Sequence, residues 1–426
     1  MPEQFTTEAP DASPSRGGAD PCATVVDLAP ELTDWDAFVS RSEPGSYLQT
    51  SAWAVVKAPN GWTPLRFIGS AGPAESPVPV ADDCDDTRPG DGTATDDDSD
   101  EAAGEVSEFG VQLLLRKPRL FPWAFAYAPR GPVFERWNPA TLDAFTSTLR
   151  RAIASSGSRV SHVRIEPEIE LNGPQDVDGE FRRALRACGW RPGTPIQPPR
   201  TRQVDLRPEE AALWGNLRKK WRQYVNKARK GEVRVVDATA DRLPEFYSIY
   251  RETAKRAGFV IRTYESYLGV WQAFARLGMA RLLIAEGADG VGLATLFLLR
   301  VGKRVIEPYG GMTGAGAESR ANYLLKWEAM RTSREQGATS YDMWGISHEG
   351  IEHFKTGFGG REIDYVGAWD LVLDPAGRLA FDKAQVIQDR VGAWRHGIAK
   401  VRGRPHAPAT ESAEPTESTE PAERAE

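Results

Sequence analysis

The succession of apolar patterns along this chain limits its fold more than any single motif does. From Val233 it reads strand (Val233 to Val236), helix (Arg242 to Arg256), helix (Tyr264 to Leu277) and three strands (Ala280 to Glu286, Val291 to Arg300, Arg304 to Gly310). A helix (Arg320 to Gln336) and two strands (Ser340 to Trp344, Tyr365 to Leu373) complete this half. From Val25 a similar order runs earlier. A strand (Val25 to Leu28) and a helix (Glu31 to Ser40) come first, then a turn leading into a helix across Tyr47 to Lys57. Strands Trp62 to Gly69, Phe109 to Arg116 and Ala124 to Pro129 follow, then helix Pro139 to Ser155, strand Val160 to Ile165, helix Glu180 to Cys188 and strand Gln203 to Leu206. The helices rest on spacings such as Leu142, Phe145, Leu149 and Ile153, the strands on Val/Leu-rich runs. The alternation predicts an α/β fold, and its recurrence predicts one α/β unit used twice, on element order alone. A weaker helix is predicted over Phe381 to Lys400.

Charge divides the chain differently. The net charge is −7 over 426 residues, but residues 1–20 carry −3, residues 81–108 carry −11 and residues 401–426 carry −3, leaving about +10 on the rest. The three acidic segments are rich in Pro, Ser, Thr and Ala and nearly free of aromatics, a composition that predicts disorder. The middle one falls between two predicted strands, where a long loop costs little because closure entropy grows slowly with length. A basic folded part suits an anionic partner; the lesser reading is that it merely balances the acidic tails.

Three scattered cysteines (Cys22, Cys84, Cys188), with no CxxC pair, argue for a reducing compartment and against a zinc or disulfide framework. The N-terminus has no apolar signal segment, and the longest apolar run, Val291 to Leu299, is too short to span a bilayer. The expectation is a soluble cytoplasmic protein.

Four stretches could carry chemistry. Phe354-Lys355-Thr356-Gly357-Phe358-Gly359-Gly360 places one lysine between two phenylalanines in a glycine-rich turn. It reads either as a cation at the mouth of a groove or as a structural turn whose phenylalanines plug the core. A single long helix is expected over Glu209 to Lys230. Between Gly215 and Gly231 it carries Arg218, Lys219, Lys220, Arg222, Lys227, Arg229 and Lys230 with no acid, while Leu213, Leu217, Trp221, Tyr224, Val225 and Ala228 form an apolar face. Such a stripe suits RNA or a pyrophosphate, or is simply a solvated face. His348 and His353 are five residues apart, so they cannot form an HExxH zinc helix. Gly310 to Ala317, GGMTGAGA, either cradles phosphate at a helix start or merely connects strand to helix, and it lacks the lysine of a P-loop. No Ser–His–Asp or Cys–His arrangement stands out, which favours catalysis by orientation and charge stabilisation over covalent catalysis.

Taken in order, several motifs resemble the FemABX family of peptidoglycan peptidyltransferases. These are Leu48-Gln49-Thr50-Ser51-Ala52-Trp53 with Lys57, Pro199-Arg200-Thr201 with Val204-Asp205-Leu206, and Leu217 to Arg222 with Lys227 to Gly231. Tyr309-Gly310-Gly311 and Phe354-Lys355 with Gly357-Phe358-Gly359 complete the set, over about residues 24 to 375 without the acidic insertion. The resemblance implies two tandem GNAT-like domains, 23–205 (acidic loop about 71–108) and 206–378, with a C-terminal helix at 379–402 and disordered ends at 1–22 and 403–426. With room only for a strand and a helix between Lys230 and Val260, the chain resembles the members without a helical-hairpin arm.

The resemblance also implies transfer of an amino acid (Gly, Ala or Ser) from aminoacyl-tRNA to an amine on the stem peptide of a lipid-linked or UDP-linked muropeptide precursor, with no cofactor or metal. Peripheral contact with the inner membrane would follow from a lipid-linked acceptor. By matching position, Lys57 and Arg262 would hold the diphosphate, and Trp53, Tyr264, Tyr267, Gly357 and Phe358 would line the acceptor site. Lys355, with Phe354 beside it, would stabilise charge on the ester carbonyl, and Tyr309 would line the groove. Arg218, Lys219, Lys220, Arg222, Lys227 and Arg229 would face the tRNA. Two other readings stand beside this one, an acyl-CoA-dependent GNAT N-acyltransferase and a non-catalytic RNA- or precursor-binding protein.

Overall fold

A computed structural model describes residues 25–71, 107–119, 121–346 and 349–384. The chain divides into two units, Met1–Pro375 and Ala376–Glu426, and of the second only residues 376–384, which are helical, are described. The segments expected to be disordered, 1–22, nearly all of 71–108, and 403–426, lie outside the described residues, as does most of the helix expected over 381–400.

The first unit holds two sheets. In chain order the strands are β1 Val25–Asp27, β2 Thr63–Ala71, β3 Ser107–Arg116, β4 Ala124–Ala128, β5 Val133–Phe134, β6 Val160–Ile165, β7 Arg191–Pro192, β8 Arg200–Asp205, β9 Arg234–Ala238, β10 Ala280–Glu286, β11 Gly292–Val301, β12 Arg304–Met312, β13 Ser340–Asp342, β14 Arg361–Asp364 and β15 Trp369–Val372. The helices are α1 Leu32–Arg41, α2 Ser51–Lys57, α3 Pro139–Ser155, α4 Glu180–Ala187, α5 Glu210–Asn216, α6 Lys219–Lys230, α7 Leu243–Ala257, α8 Tyr264–Ala275, α9 Gly314–Glu318, α10 Ala321–Glu335 and α11 Glu349–Thr356.

The first sheet has the order β1-β2-β3-β4-β6-β15-β7, with β5 on β3, and the second has β9-β10-β11-β12-β13-β8-β14. Each contains one parallel pair at the same place, β4 with β6 and β12 with β13. The repeated α/β order is thus two sheets of matching topology. Only β9, a short helical turn and α7 lie between Lys230 and Gly258, so there is no hairpin arm. The acidic insertion joins β2 to β3, whose ends pair at Ala71 and Ser107.

The 205/206 boundary is crossed in both directions. β8 precedes it in sequence yet lies between β13 and β14 in the second sheet; β15 follows it yet lies between β6 and β7 in the first. Each sheet is therefore completed by the strand that follows the other's elements, and neither half holds all of its own strands. Alternation on a short strand shows which side is apolar but not which sheet receives it.

One apolar core lies on each sheet, and a third is shared. The shared core joins Trp35, Phe38, Tyr47 and Trp53 from the first half to Phe246, Tyr267, Phe274 and Phe297 from the second. Beside it runs a buried ionic network. Arg304 on β12 binds Glu168 of the first half and Asp342 of the second, and Arg130 approaches Glu168 at 3.4 Å. Among the described residues no helix is long and apolar enough to cross a membrane.

The long helix expected over Glu209 to Lys230 is two helices, a correction with a local cause. Leu217 and Arg218 are extended, with ψ 140 and 143, and the Arg218 N–H donates to the Gly357 carbonyl at 2.9 Å. Leu217 buries its side chain at the break, so tertiary contact overrides helical periodicity.

Candidate active site

The second sheet opens where the first stays closed. β4 and β6 pair from Ala124 to Ala128, whereas β12 pairs with β13 only from Arg304 to Ile306 and then runs on to Met312 paired with β11 on its other side only. A register shift between Phe297 and Leu299 on β11 bends β12 near Glu307 and Pro308, an irregularity of the kind that re-aims side chains. The half of β12 beyond its pairing with β13 carries Tyr309 into a group of aromatic side chains from both halves.

That group is built around Arg262, which lies between α7 and α8. Its backbone N–H donates to the Tyr267 hydroxyl at 3.2 Å, and its carbonyl accepts from the Tyr247 hydroxyl at 3.3 Å. Its charge acts on Tyr47 from the first half and on Tyr250, Tyr267 and Tyr309 from the second. Tyr309 lies edge-on to Tyr267 at 5.1 Å, and Tyr264 lies 5.7 Å from Tyr247. Burial raises the phenols of Tyr47, Tyr250 and Tyr309, the last to about 12, so each remains a protonated donor near neutrality. The hydroxyls of Tyr47, Tyr250 and Tyr309 make no hydrogen bond to any described residue. Three phenols without hydrogen-bond partners among the described residues thus gather in an aromatic cluster beside a guanidinium, donors of the kind a polar ligand uses.

Lys57 ends α2 on the rim of this cleft. Its ammonium lies 5.6 Å from the Trp53 ring and 5.7 Å from the Trp62 ring, and the Arg116 guanidinium lies 5.7 Å from Trp62. Burial, then Arg262, then Arg116 lower its pKa to about 8. Lys57, Arg116 and Arg262 have no carboxylate partner among the described residues. Three cations without carboxylate partners, two of them the residues expected to hold a diphosphate, raise the local positive potential.

Lys355 occupies a different setting from the one expected. It is not in a glycine-rich turn at a groove mouth: Phe354, Lys355 and Thr356 are the last turn of α11, and the lysine is buried. Its ammonium donates to the carbonyls of Met343 at 2.8 Å, Trp344 at 2.8 Å and Gly345 at 2.6 Å, using all three N–H bonds. Burial, then Lys326, lower its pKa to about 8. Lys326 is itself held at 2.5 and 2.7 Å by Glu307, which also accepts from the Tyr341 hydroxyl at 2.6 Å.

The bend that Lys355 grips carries Trp344, a non-glycine residue at φ 58. The Asp342 carboxylate accepts from the Trp344 N–H at 2.7 Å and fixes this conformation. The Trp344 ring lies 5.6 Å from Tyr47 and 5.1 Å from the Arg130 guanidinium. Lys355 therefore reaches the cleft through Trp344, and a direct contact with a substrate carbonyl requires exchange of one of its three carbonyl partners.

The glycines and phenylalanines around it have protein neighbours of their own. A Cβ on Gly357 would strike the Trp221 ring, and one on Gly360 would strike the Gln203 carbonyl. Phe358 is buried in the second core, stacked on Tyr323 at 6.2 Å, and Phe354 lies 5.2 Å from both rings.

The basic helix α6 packs its Trp221 against α11, donating from the indole to the Phe354 carbonyl at 3.0 Å. Lys219, Lys220 and Lys227 are exposed without ion-pair partners among the described residues, whereas Arg229 pairs with Glu328 at 2.8 Å. Arg222 donates to the Gly215 carbonyl at 3.0 Å, and Arg218 lies 5.6 Å from the Trp221 ring. The GGMTGAGA loop is the plain connection: the Gly314 N–H meets Glu252 at 2.9 Å and the Gly316 N–H meets Thr313 at 3.0 Å, so these donors are taken. His348 lies outside the described residues.

Sequence reasoning missed Tyr47, Tyr250, Trp344, Trp62 and Arg116. Tyr47 and Trp344 adjoin stretches already singled out, but nothing in their spacing shows that they meet across the two halves.

Comparison with known proteins gives the same frame. The model of the FemAB family matches residues 95–286 and 270–385. A lipid II:glycine glycyltransferase of Staphylococcus saprophyticus is 21% identical over 411 residues, covering 80% of this chain and 91% of the relative. The protein of the same name from Staphylococcus aureus (strain MRSA252) is 20% identical over 417 residues, with coverage of 80% and 91%. Among solved structures, the crystal structure of FemX superposes with a TM-score of 0.67 at 19% identity, covering 84% of this chain and 99% of that one; the likeness is one of fold.

Proposed function

From the premise that this chain belongs to the FemAB family, we propose that it transfers an amino acid from aminoacyl-tRNA to an amine on the stem peptide of a peptidoglycan precursor. Glycine is the first amino acid to test, because the curated relatives are named lipid II:glycine glycyltransferases; alanine and serine are the alternatives. The observation that carries the reading is the junction at Arg262, where an uncompensated cation cluster with Lys57 adjoins three unpartnered phenols from both halves.

The diphosphate of the precursor lies across Lys57 and Arg262. The stem peptide enters the aromatic cleft, where Tyr309, Tyr250 and Tyr47 donate to its carbonyls and Tyr264 and Tyr267 hold the Arg262 segment. The donor ester approaches along the open half of β12, with the tRNA following the exposed lysines of α6. The neutral acceptor amine attacks the ester carbonyl; the C–N bond forms, the C–O bond to the ribose breaks, the nitrogen gives up a proton and the ribose oxygen gains one. The ester is already activated, so the chain's task is to hold amine and ester together, which can supply roughly 7–11 kcal/mol of the barrier. Lys355 holds the Trp344 bend and supplies positive charge behind the cleft.

The test is incubation of the purified chain with charged tRNA and, separately, lipid-linked and nucleotide-linked pentapeptide precursors. A product heavier by one aminoacyl residue supports the reading. Binding of both substrates with no mass shift would reduce the chain to a binding protein.

A further inference from the structure

Behind the point where the second sheet opens lies a buried charge cluster that the proposed reaction does not use. β12 and β13 last pair at Ile306 and Asp342. The next residues of β12, Glu307 and Pro308, fall in the bulge against β11, between the pairs Leu299–Ile306 and Phe297–Tyr309. Proline has no N–H to give to a neighbouring strand. At this point β12 has lost its ladder on one side and has it disturbed on the other, and a side chain ties it instead. The Glu307 carboxylate accepts from the Lys326 ammonium of α10 at 2.5 and 2.7 Å and from the Tyr341 hydroxyl of β13 at 2.6 Å. All three side chains are buried.

A second buried lysine holds the other arm of the opening. Lys355 donates to the carbonyls of Met343, Trp344 and Gly345, the three residues that follow β13. After burial, Lys326 is the charge that does most to lower the Lys355 pKa, so the two ammoniums are near neighbours. The Lys326 ammonium also lies 5.6 Å from the Phe354 ring and 6.0 Å from the Phe358 ring. Packing alone does not call for an ion pair here. α10 otherwise gives this core Leu324, Leu325, Trp327, Ala329 and Met330, and an apolar pair of similar volume is often as stable as a buried ion pair or more so. What an apolar pair lacks is direction. The carboxylate must meet Lys326 and Tyr341 at hydrogen-bond distance, and that requirement fixes the course of β12.

We propose that Glu307, Lys326 and Tyr341 are positioning residues: with Lys355 they set how far β12 and β13 diverge, and so the span of the cleft from Tyr309 on one arm to Trp344 on the other. Tyr309 lies two residues beyond Glu307, and Trp344 two residues beyond Asp342. Both rings pack against the shared core. None of the three residues touches substrate; each acts through the strand it holds. The inference rests on the proposed function for its kinetic consequence alone, since a reaction that works by holding amine and ester together is sensitive to the spacing of the groups that hold them.

The test is the double variant Lys326→Met/Glu307→Leu of the full chain, set beside each single variant and Tyr341→Phe. Each single charge variant melts lower, because a buried charge is left without its partner, and the double variant recovers most of that loss. Its turnover at saturating donor and acceptor nevertheless stays about 100-fold below the wild type, the scale of a misplacement of about 1 Å. Acceptor affinity is unchanged, because Lys57 and Arg262 are intact. Tyr341→Phe keeps the ion pair and loses about tenfold in turnover, one hydrogen bond's worth. Deuterium exchange, read without substrates, quickens at residues 307–312 and 343–346 of the double variant and not in β10. Wild-type turnover in the folded double variant overturns the proposal. So does unchanged exchange at 307–312, or a loss of acceptor affinity with turnover intact, which would put Glu307 in the substrate site. Should the double variant not fold, wild-type turnover and exchange in Tyr341→Phe overturn the proposal in its place. If the wild type transfers an aminoacyl group to no acceptor, the function is rejected, and the exchange experiment still judges the positioning.

Discussion

The Lys355 ammonium lies 2.8 Å from the carbonyl oxygen of Trp344, and the Trp344 ring lies 5.6 Å from Tyr47 of the other half. One buried cation thus sets the position of a side chain on which both halves of the cleft converge. The Met343 and Gly345 carbonyls on the same ammonium make the bend dependent on it.

Replacing Lys355 by alanine leaves three inward carbonyls without their donor and opens a cavity. The expected loss of stability is about 2–4 kcal/mol, read by denaturant unfolding. Turnover falls more than acceptor affinity, because the bend orients the cleft and does not bind the diphosphate. Wild-type turnover at saturating substrate in a folded Lys355→Ala protein would remove Lys355 from the catalytic account.

The Tyr309 hydroxyl has no partner among the described residues, so Tyr309→Phe gives up no internal hydrogen bond. The melting temperature should stay within about a degree or two of the wild type, while acceptor binding or turnover weakens by about tenfold, one hydrogen bond's worth. Calorimetry and steady-state kinetics on the same preparation separate the two. A large fall in melting temperature with normal kinetics would make the hydroxyl structural.

Lys57 carries a pKa lowered to about 8 by burial, Arg262 and Arg116. An anion bound beside it favours the charged form and raises that pKa, so binding takes up protons at pH values around and above 8. Acceptor affinity should therefore decline as pH rises through about 8, and titrations in buffers of different ionisation enthalpy should show proton uptake. In Lys57→Ala the affinity is lower and this proton uptake disappears. Uptake that persists in the variant would assign it to another group.

Arg304 ties the two halves through Glu168 and Asp342. Arg304→Met leaves the buried Asp342 carboxylate without a cation and Glu168 with Arg130 alone, an expected loss of about 3–5 kcal/mol at neutral pH. Burial alone would raise the Asp342 pKa, but attraction to Arg304 and hydrogen bonds from Thr201, Arg304 and the Trp344 N–H outweigh it, so the net shift is downward from 3.8. Asp342 therefore contributes stability in full above its unfolded pKa and loses it as pH falls through the lower folded value. In Arg304→Met the burial effect prevails and the carboxyl pKa rises, so this contribution changes sign. The gap in stability between variant and wild type should therefore begin to narrow above the unfolded carboxyl value of about 4, as the variant's carboxyl protonates, and go on narrowing below it. A gap that stays constant from pH 7 to pH 3 would contradict the assignment.

Most elements and their order follow from local apolar patterns, the helix break at Leu217 and the helix α11 excepted. Helix Pro139–Ser155 and strands Val160–Ile165 and Ala280–Glu286 match their expected bounds, because apolar periodicity, the Asn138 cap and flanking glycines act within a few residues of chain. The motifs around Lys57 and Tyr309 were legible too, with Arg262 beside them, since each lies in a short local pattern.

How the halves join and what each motif faces depend on long-range contacts. The crossing of β8 and β15 into opposite sheets, the break at Leu217 and Arg218, and the meeting of Tyr47 with Trp344 depend on contacts between residues far apart in the chain. Lys355 shows the difference most clearly. Its neighbours in sequence predict a turn, whereas its environment consists of three carbonyls ten to twelve residues away, brought to it by the end of β13. Local propensity describes the backbone near a residue; where a buried charge points is set by the partners that folding delivers, because a buried ammonium must find acceptors wherever they lie.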